Sequence, residues 1–190
     1  MIDFDITEYE TRTERAQDAM MQQGIGALFL MSEPEVRYFT GFRTLFWQSP
    51  TRPWFVIVPA IGKPIAAIPE IGAPLMQQTW IDEIHCWSSP DEHDDGISIL
   101  KSLLEDYARV GLLMGRESQL RMPYSDFQRL RLDLTKTQFV DATPLMTSLR
   151  FVKSEAEINV IATICGHAQR AFDRIPEIVE EGLTLKEVFR

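Results

Sequence analysis

The residues best suited to chemistry lie together in one stretch, Phe42-Arg43-Thr44-Leu45-Phe46-Trp47-Gln48-Ser49-Pro50-Thr51-Arg52-Pro53-Trp54. Two guanidinium groups, Arg43 and Arg52, share it with four aromatic rings. An arginine fork binds a carboxylate through paired hydrogen bonds, and aromatic walls that exclude water strengthen such a contact. Arg43, Trp47, Arg52 and Phe46 are therefore the candidate substrate-binding residues, placed on a loop that contains two prolines. A second reading stays open: the aromatics plug the hydrophobic side of a sheet and the arginines pair with surface acids. For Trp54, inside a predicted strand, that second reading is preferred. Charge patterning bears on the choice. From Val36 through Pro69 there is no Asp or Glu, yet Arg37, Arg43, Arg52 and Lys63 fall in this window of a chain whose net charge is −9. The local potential is expected to be positive, although acids are scarce in buried strands for reasons unrelated to any ligand.

Other chemistry is poorly supported. The histidines His85, His93 and His167 are scattered, and no His-x-x-x-His, Cys-x-x-Cys, Gly-x-Ser-x-Gly or phosphate-binding glycine loop occurs. His85 and Cys86 are adjacent on a predicted strand, so they point to opposite faces and make poor joint ligands. Asp91-Glu92-His93-Asp94-Asp95 offers oxygens but lacks the glycine-paced spacing of a calcium loop. It reads as a solvated acidic loop that partly caps a helix beginning near Asp95. His167 lies two residues after Cys165, off its face of a helix, and reads as structural. No catalytic residue and no metal ligand are assigned.

The elements that must position the loop follow from periodicity. Thr7 to Gln23 is an amphipathic helix with a Thr7/Glu10 capping box and a Gly24 stop. Ala27-Leu28-Phe29-Leu30-Met31 is a strand apolar on both faces. Ser32-Glu33-Pro34-Glu35 starts a helix that ends near Gly41. After the loop, residues 54–58 and 65–68 form a hairpin about a Gly62-Lys63-Pro64 turn. Helices are predicted over 71–79, 97–107 and 124–134, and strands over 84–87, 110–114 and 138–140. The fold class is α/β, a mixed β-sheet with flanking helices. Ser154 and Glu157 form a capping box for a long helix whose apolar residues, from Ile158 through Phe172 to Val179, make one stripe. Thr184 and Glu187 offer another box before the chain stops at Arg190. The expected organisation is a domain over 1–150 and the truncated start of a second over 151–190.

Composition sets outer bounds. An apolar fraction of 45% is enough for a real core. No apolar run approaches a membrane span, and the first residues lack the basic start and apolar stretch of a signal peptide, so a cytoplasmic location is expected. The acidic charge argues against nucleic acid and anionic membranes as partners. Cys86 and Cys165 are expected to be buried, reduced thiols.

Two segments carry a resemblance. Gly24-Ile25-Gly26-Ala27-Leu28-Phe29-Leu30 with Pro34-Glu35-Val36-Arg37-Tyr38-Phe39-Thr40-Gly41-Phe42, then Val56-Ile57-Val58-Pro59, resembles the N-terminal domain of the creatinase, prolidase and aminopeptidase P family. Leu149-Arg150-Phe151-Val152-Lys153-Ser154-Glu155-Ala156-Glu157-Ile158 is similar to that family's approach to its pita-bread catalytic domain, as is Gly182-Leu183-Thr184-Leu185-Lys186-Glu187-Val188. The resemblance implies a ribonuclease H-like N-terminal fold. It implies that the chain alone is not an enzyme. The full-length protein would be a metal-dependent hydrolase, Xaa-Pro dipeptidase-like, with two divalent cations such as Mn or Zn held by two Asp, one His and two Glu beyond Arg190. It also implies a homodimer in which a loop equivalent to Phe42–Trp54 shapes the partner's pocket, for a dipeptide or small carboxylate-bearing substrate. The length of the Gln48–Pro53 stretch suggests a narrow small-molecule substrate. Alternatives under the same resemblance are a non-catalytic interaction module for basic partners, a creatinase-like amidinohydrolase, or a lyase.

Overall fold

Ala27–Leu30 forms β1, and every one of its residues is buried. Leu28 and Leu30 enter one apolar cluster, Ala27 and Phe29 the other, because successive strand side chains point to opposite faces. A strand that is apolar on both faces must lie inside a sheet covered on both sides. The computed structural model shows this for a chain described over residues 3–49 and 53–188. The sheet has six strands in the order β4-β3-β2-β1-β5-β6. They are β1, β2 (Phe55–Pro59), β3 (Ile65–Pro69), β4 (Glu83–Trp87), β5 (Arg109–Leu112) and β6 (Gln138–Asp141). β2 runs antiparallel to both β1 and β3, which is the predicted hairpin, while β3/β4, β1/β5 and β5/β6 are parallel. The mixed α/β sheet is as expected.

Helices cover the two faces. On the first lie α1 (Ile6–Gln23), α2 (Glu33–Thr40), the short α3 (Ala73–Met76) and, further along the chain, α6 (Thr143–Phe151). Tyr9, Ala16, Met20, Val36, Phe39, Met76, Leu145 and Met146 meet Leu28, Leu30, Val56 and Val58 there. On the second face α4 (Ile97–Leu104) and α5 (Tyr124–Asp133) bring Leu100, Leu104 and Leu130 against Phe29, Ile57 and Val110.

Several expectations need correction. α1 begins after Asp5, not Thr7, and Asp5 makes no side-chain cap; the Thr7 carbonyl instead accepts from Thr11 Oγ1 at 2.9 Å. The helix predicted over 71–79 shrinks to a 3-10 turn at Glu70–Gly72 and the four residues of α3, with Pro74 in its first turn. α4 stops at Leu104. α6 has no counterpart in the periodicity reading. It is anchored by Asp141, whose Oδ1 accepts from Thr143 N at 2.9 Å and Thr143 Oγ1 at 2.6 Å. Neither thiol is buried: Cys86 is half-buried and Cys165 exposed.

The chain divides into two units, Met1–Phe151 and Val152–Arg190. In the second, α7 (Glu155–Asp173) carries the predicted capping box: Ser154 Oγ accepts from Glu157 N at 3.1 Å, and Glu157 Oε2 from Ser154 N at 2.9 Å. The long helix breaks at Arg174, where Pro176 lacks the amide needed to continue, and α8 (Ile175–Ile178) and α9 (Leu185–Val188) follow as short turns. None of these three helices has a buried residue.

Gly72 is a packing requirement. A Cβ built there would lie 2.2 Å from Trp54 Cζ3, inside a buried indole ring. Gly72→Ala should lower the stability of the first unit by about 1–3 kcal/mol, the usual range for overpacking. Urea denaturation followed by tryptophan fluorescence measures it, and an unchanged midpoint would show that Trp54 yields freely.

Candidate functional site

α2 delivers the chain to the candidate loop. Gly41 adopts φ 72°, the left-handed conformation that ends a helix, and its N–H donates to Arg37 O at 2.9 Å. Thr40 Oγ1 then accepts from Phe42 N at 2.9 Å. The loop makes one 3-10 turn, Leu45–Gln48, capped by Thr44, whose Oγ1 accepts from Phe46 N at 3.2 Å.

The rings of the loop form a cluster. Centroids of Phe42 and Trp54 are 5.3 Å apart, those of Trp47 and Trp54 6.1 Å, and those of Phe46 and Trp54 6.4 Å. Phe42, Trp47 and Trp54 are buried, whereas Leu45 is 87% and Phe46 41% exposed. Trp47 therefore supports the loop from beneath rather than lining its outer surface. Among the described residues the indole N–H groups of Trp47 and Trp54 are buried without a hydrogen-bond partner.

A residue not singled out in the sequence holds this loop in place. Arg121, between β5 and α5, donates from Nη2 to Trp47 O at 2.7 Å and to Ser49 O at 2.6 Å. Its guanidinium carbon lies 4.9 Å from the centroid of a Trp47 ring. Partial burial lowers its pKa, opposed by the Glu33 charge. Ser118-Gln119-Leu120-Arg121-Met122-Pro123 has no periodicity, so no pattern marks this arginine out.

The basic window is largely neutralised by acids from outside it. Arg37 and Arg43 converge on Asp3, at 2.6 Å and 3.0 Å. Lys63 pairs with Asp82 at 2.7 Å. Of the candidate residues, then, Arg43 carries an exposed guanidinium with an internal counter-ion, Phe46 is exposed and Trp47 is core. Arg52 lies outside the described residues.

A second polar feature sits at the carboxyl ends of β1 and β5, the position where open parallel sheets commonly form a crevice. A small cleft there is lined by Met31, Ser32, Glu35, Leu113 and Gln119, among others. The Glu35 side chain is 8% exposed; Oε1 accepts from Arg150 Nη1 at 2.9 Å, and Oε2 is buried without a partner among the described residues. Burial raises the Glu35 pKa, offset in part by its own backbone and by Arg150.

The acidic segment at 91–95 builds its own turn. Asp91 Oδ1 accepts from the amides of His93 and Asp94, both at 2.8 Å, Asp94 accepts from Ser98, and Asp95 Oδ1 accepts from Trp87 Nε1 at 2.7 Å. These bonds lower the Asp91 pKa; at Asp94 burial pushes upward but is outweighed by the bonds from Ser98, the Arg129 charge and the Ile97 amide, so its pKa is lowered too. His85 Nε2 meets Glu83 Oε1 at 2.8 Å at the exposed start of β4. Among the described residues no three of His, Cys, Asp and Glu are grouped to hold a metal ion, so these side chains do not form a cage for a divalent cation. No described helix is long and apolar enough to cross a membrane.

A family model described as the Creatinase/Prolidase N-terminal domain matches residues 12–152. No curated protein sequence matches the chain. Among solved structures, a dipeptidase PepE from Mycobacterium ulcerans superposes with a TM-score of 0.74 at 23% identity, over 97% of this chain and 48% of that one. The prolidase from Thermococcus sibiricus gives 0.75 at 20% identity, over 95% and 47%. The Creatinase/Prolidase N-terminal domain of an X-Pro dipeptidase from Streptococcus pyogenes gives 0.58 at 14% identity, over 73% and 98%. The chain thus spans about half the length of the first two structures, and at these identities the likeness is one of fold.

Two outcomes follow from the geometry. Arg121→Met, which keeps bulk but loses both carbonyl contacts, should destabilise the first unit by about 2 kcal/mol and red-shift tryptophan emission as the Leu45–Gln48 turn loosens. Emission identical to wild type would show that the rings hold the loop alone. For Glu35, a folded-state pKa above the unfolded one means the folded chain binds the extra proton. Its contribution is present at low pH and fades as pH rises from the ordinary glutamate range through the raised value. Glu35→Gln should flatten that decline in a denaturation series from pH 4 to 8, and an unaltered slope would refute it.

Proposed function

The chain belongs to the Creatinase/Prolidase N-terminal domain family, and we propose that it serves as the non-catalytic N-terminal domain of an Xaa-Pro dipeptidase- or creatinase-like hydrolase. In this reading the domain dimerises, and its 42–54 loop edges the substrate pocket of the partner subunit. The hydrolytic chemistry, with its two divalent cations, belongs to a catalytic domain. The observation that carries the reading is the construction of the loop. A buried base of Phe42, Trp47 and Trp54, clamped by Arg121, holds up an exposed tip that includes Arg43, Leu45 and Phe46. A tip carried on such a packed and hydrogen-bonded base loses little ordering entropy on binding, which suits contact of Arg43, Leu45 and Phe46 with a small carboxylate-bearing substrate.

Mixed dimers of the full-length protein test whether the tip acts in trans. One subunit carries Arg43→Ala and Phe46→Ala; the other carries an intact loop and an inactivated catalytic domain. Each homodimer should have kcat/KM reduced at least about tenfold, the size of one lost charge-assisted hydrogen bond. The mixed dimer should regain about half the wild-type rate per molecule, since one pocket is then whole. Failure of mixing to restore activity would overturn the arrangement in trans.

A further inference from the structure

Asp3 turns the Arg37 and Arg43 side chains into a filled carboxylate site. Arg37 donates to Oδ2 from Nε at 2.7 Å and lies 2.6 Å from it through Nη2; Arg43 donates to Oδ1 from Nη1 at 3.0 Å. Both oxygens of one carboxylate are thus held by two forks from different places, the last turn of α2 and the loop beyond Gly41. Among the described residues neither guanidinium has another hydrogen-bond partner.

The exposure of the three groups is uneven. The Arg37 and Arg43 side chains are 41% and 61% exposed, that of Asp3 only 20%. The receptor is open to solvent while the occupant sits within it. Ion pairs so exposed add little to stability, about 0–1 kcal/mol each, so fold stability alone gives little reason to aim two arginines at one carboxylate. The occupant is also tethered. Phe4 packs edge-on against Tyr9 at 6.2 Å, the Arg12 guanidinium lies 4.6 Å from the Phe4 centroid, and Asp3 N donates to Tyr9 Oη at 3.2 Å.

We propose that Arg37 and Arg43 together form a binding site for a carboxylate-bearing ligand, and that Asp3 is its built-in competitor, displaced when the ligand enters. A short tether presents the internal carboxylate at an effective concentration on the order of millimolar, so a free carboxylate binds only as far as the open fraction allows. The ligand class is a small molecule or chain terminus with one free carboxylate. This goes beyond the pocket reading above, since it needs neither a partner subunit nor a catalytic domain.

The test titrates the chain alone with N-acetylglycine, using N-acetylglycinamide as the neutral control, and follows the arginine Nε–Hε resonances by NMR. In Asp3→Asn, Arg37 and Arg43 should shift saturably with the acid and not with the amide, at a half-saturation at least about tenfold lower than in wild type. Asp3→Ala repeats this without a side-chain amide that could itself accept from Arg43. Adding Arg37→Ala or Arg43→Ala should abolish the response. Equal titrations in wild type and both Asp3 variants, or no saturable shift in any, would overturn the proposal. Failure of the mixed-dimer experiment would leave this result unaffected, and the converse holds too.

Discussion

The first unit depends on the burial of β1 on both faces. Phe29 packs under α4 and α5 while Leu28 and Leu30 pack under α1, α2 and α6, so the strand has no side free to shift. It pairs with β2 on one edge and β5 on the other. A slip of one residue would exchange Phe29 with a leucine on every contact surface, which neither cluster can accommodate. This fixes the start of α2, three residues beyond the strand. Through α2 it fixes Gly41, and from Gly41 the direction in which the candidate loop leaves the domain.

The loop is held by devices of a different kind. Its turn is short and exposed, and a 3-10 turn of four residues has little stability of its own. Support comes from below, where the Phe42, Trp47 and Trp54 rings pack at tilted and edge-on angles in the first core, and from the side, where Arg121 donates to the carbonyls of Trp47 and Ser49. The two unpartnered indole N–H groups each cost about 1–3 kcal/mol on burial. A domain built for stability alone would be better served by Phe or Leu at those positions. Retaining tryptophan there gives a wide, flat base from which Leu45 and Phe46 project.

Legibility in the sequence follows the range of each interaction. The strand at 27–31, the hairpin and the Ser154/Glu157 box are set by neighbours within a few residues, and their patterns read directly. α6 did not read because its signals are a mixture: Pro144 in the first turn, a cap from Asp141, and only Leu145, Met146 and Leu149 buried. α3 is shorter than the helix expected over 71–79: Pro74 falls in its first turn, and Ile71 and Leu75 are both exposed, so little packing extends it. Arg121 reaches back more than seventy positions to its carbonyl partners, and a contact of that span leaves no local trace. Trp47 was legible as an aromatic of the loop but not as its underside, since a ring's direction in irregular backbone has no period to follow.

The charge pattern shows the same limit most sharply. A window without acids reads as a positive surface only if no acid is imported in three dimensions. Here Lys63 draws on Asp82, and Arg37 and Arg43 draw on Asp3, which precedes the window by more than thirty positions. The imported acids are not equivalent. Asp82 is 75% exposed and pairs with one flexible ammonium, an arrangement that solvent dissolves easily. Asp3 is shielded, tethered and shared by two planar forks, each of which prefers two-point contact with a carboxylate. The deficit of acids within the window is thus made up in three dimensions by carboxylates of the chain itself.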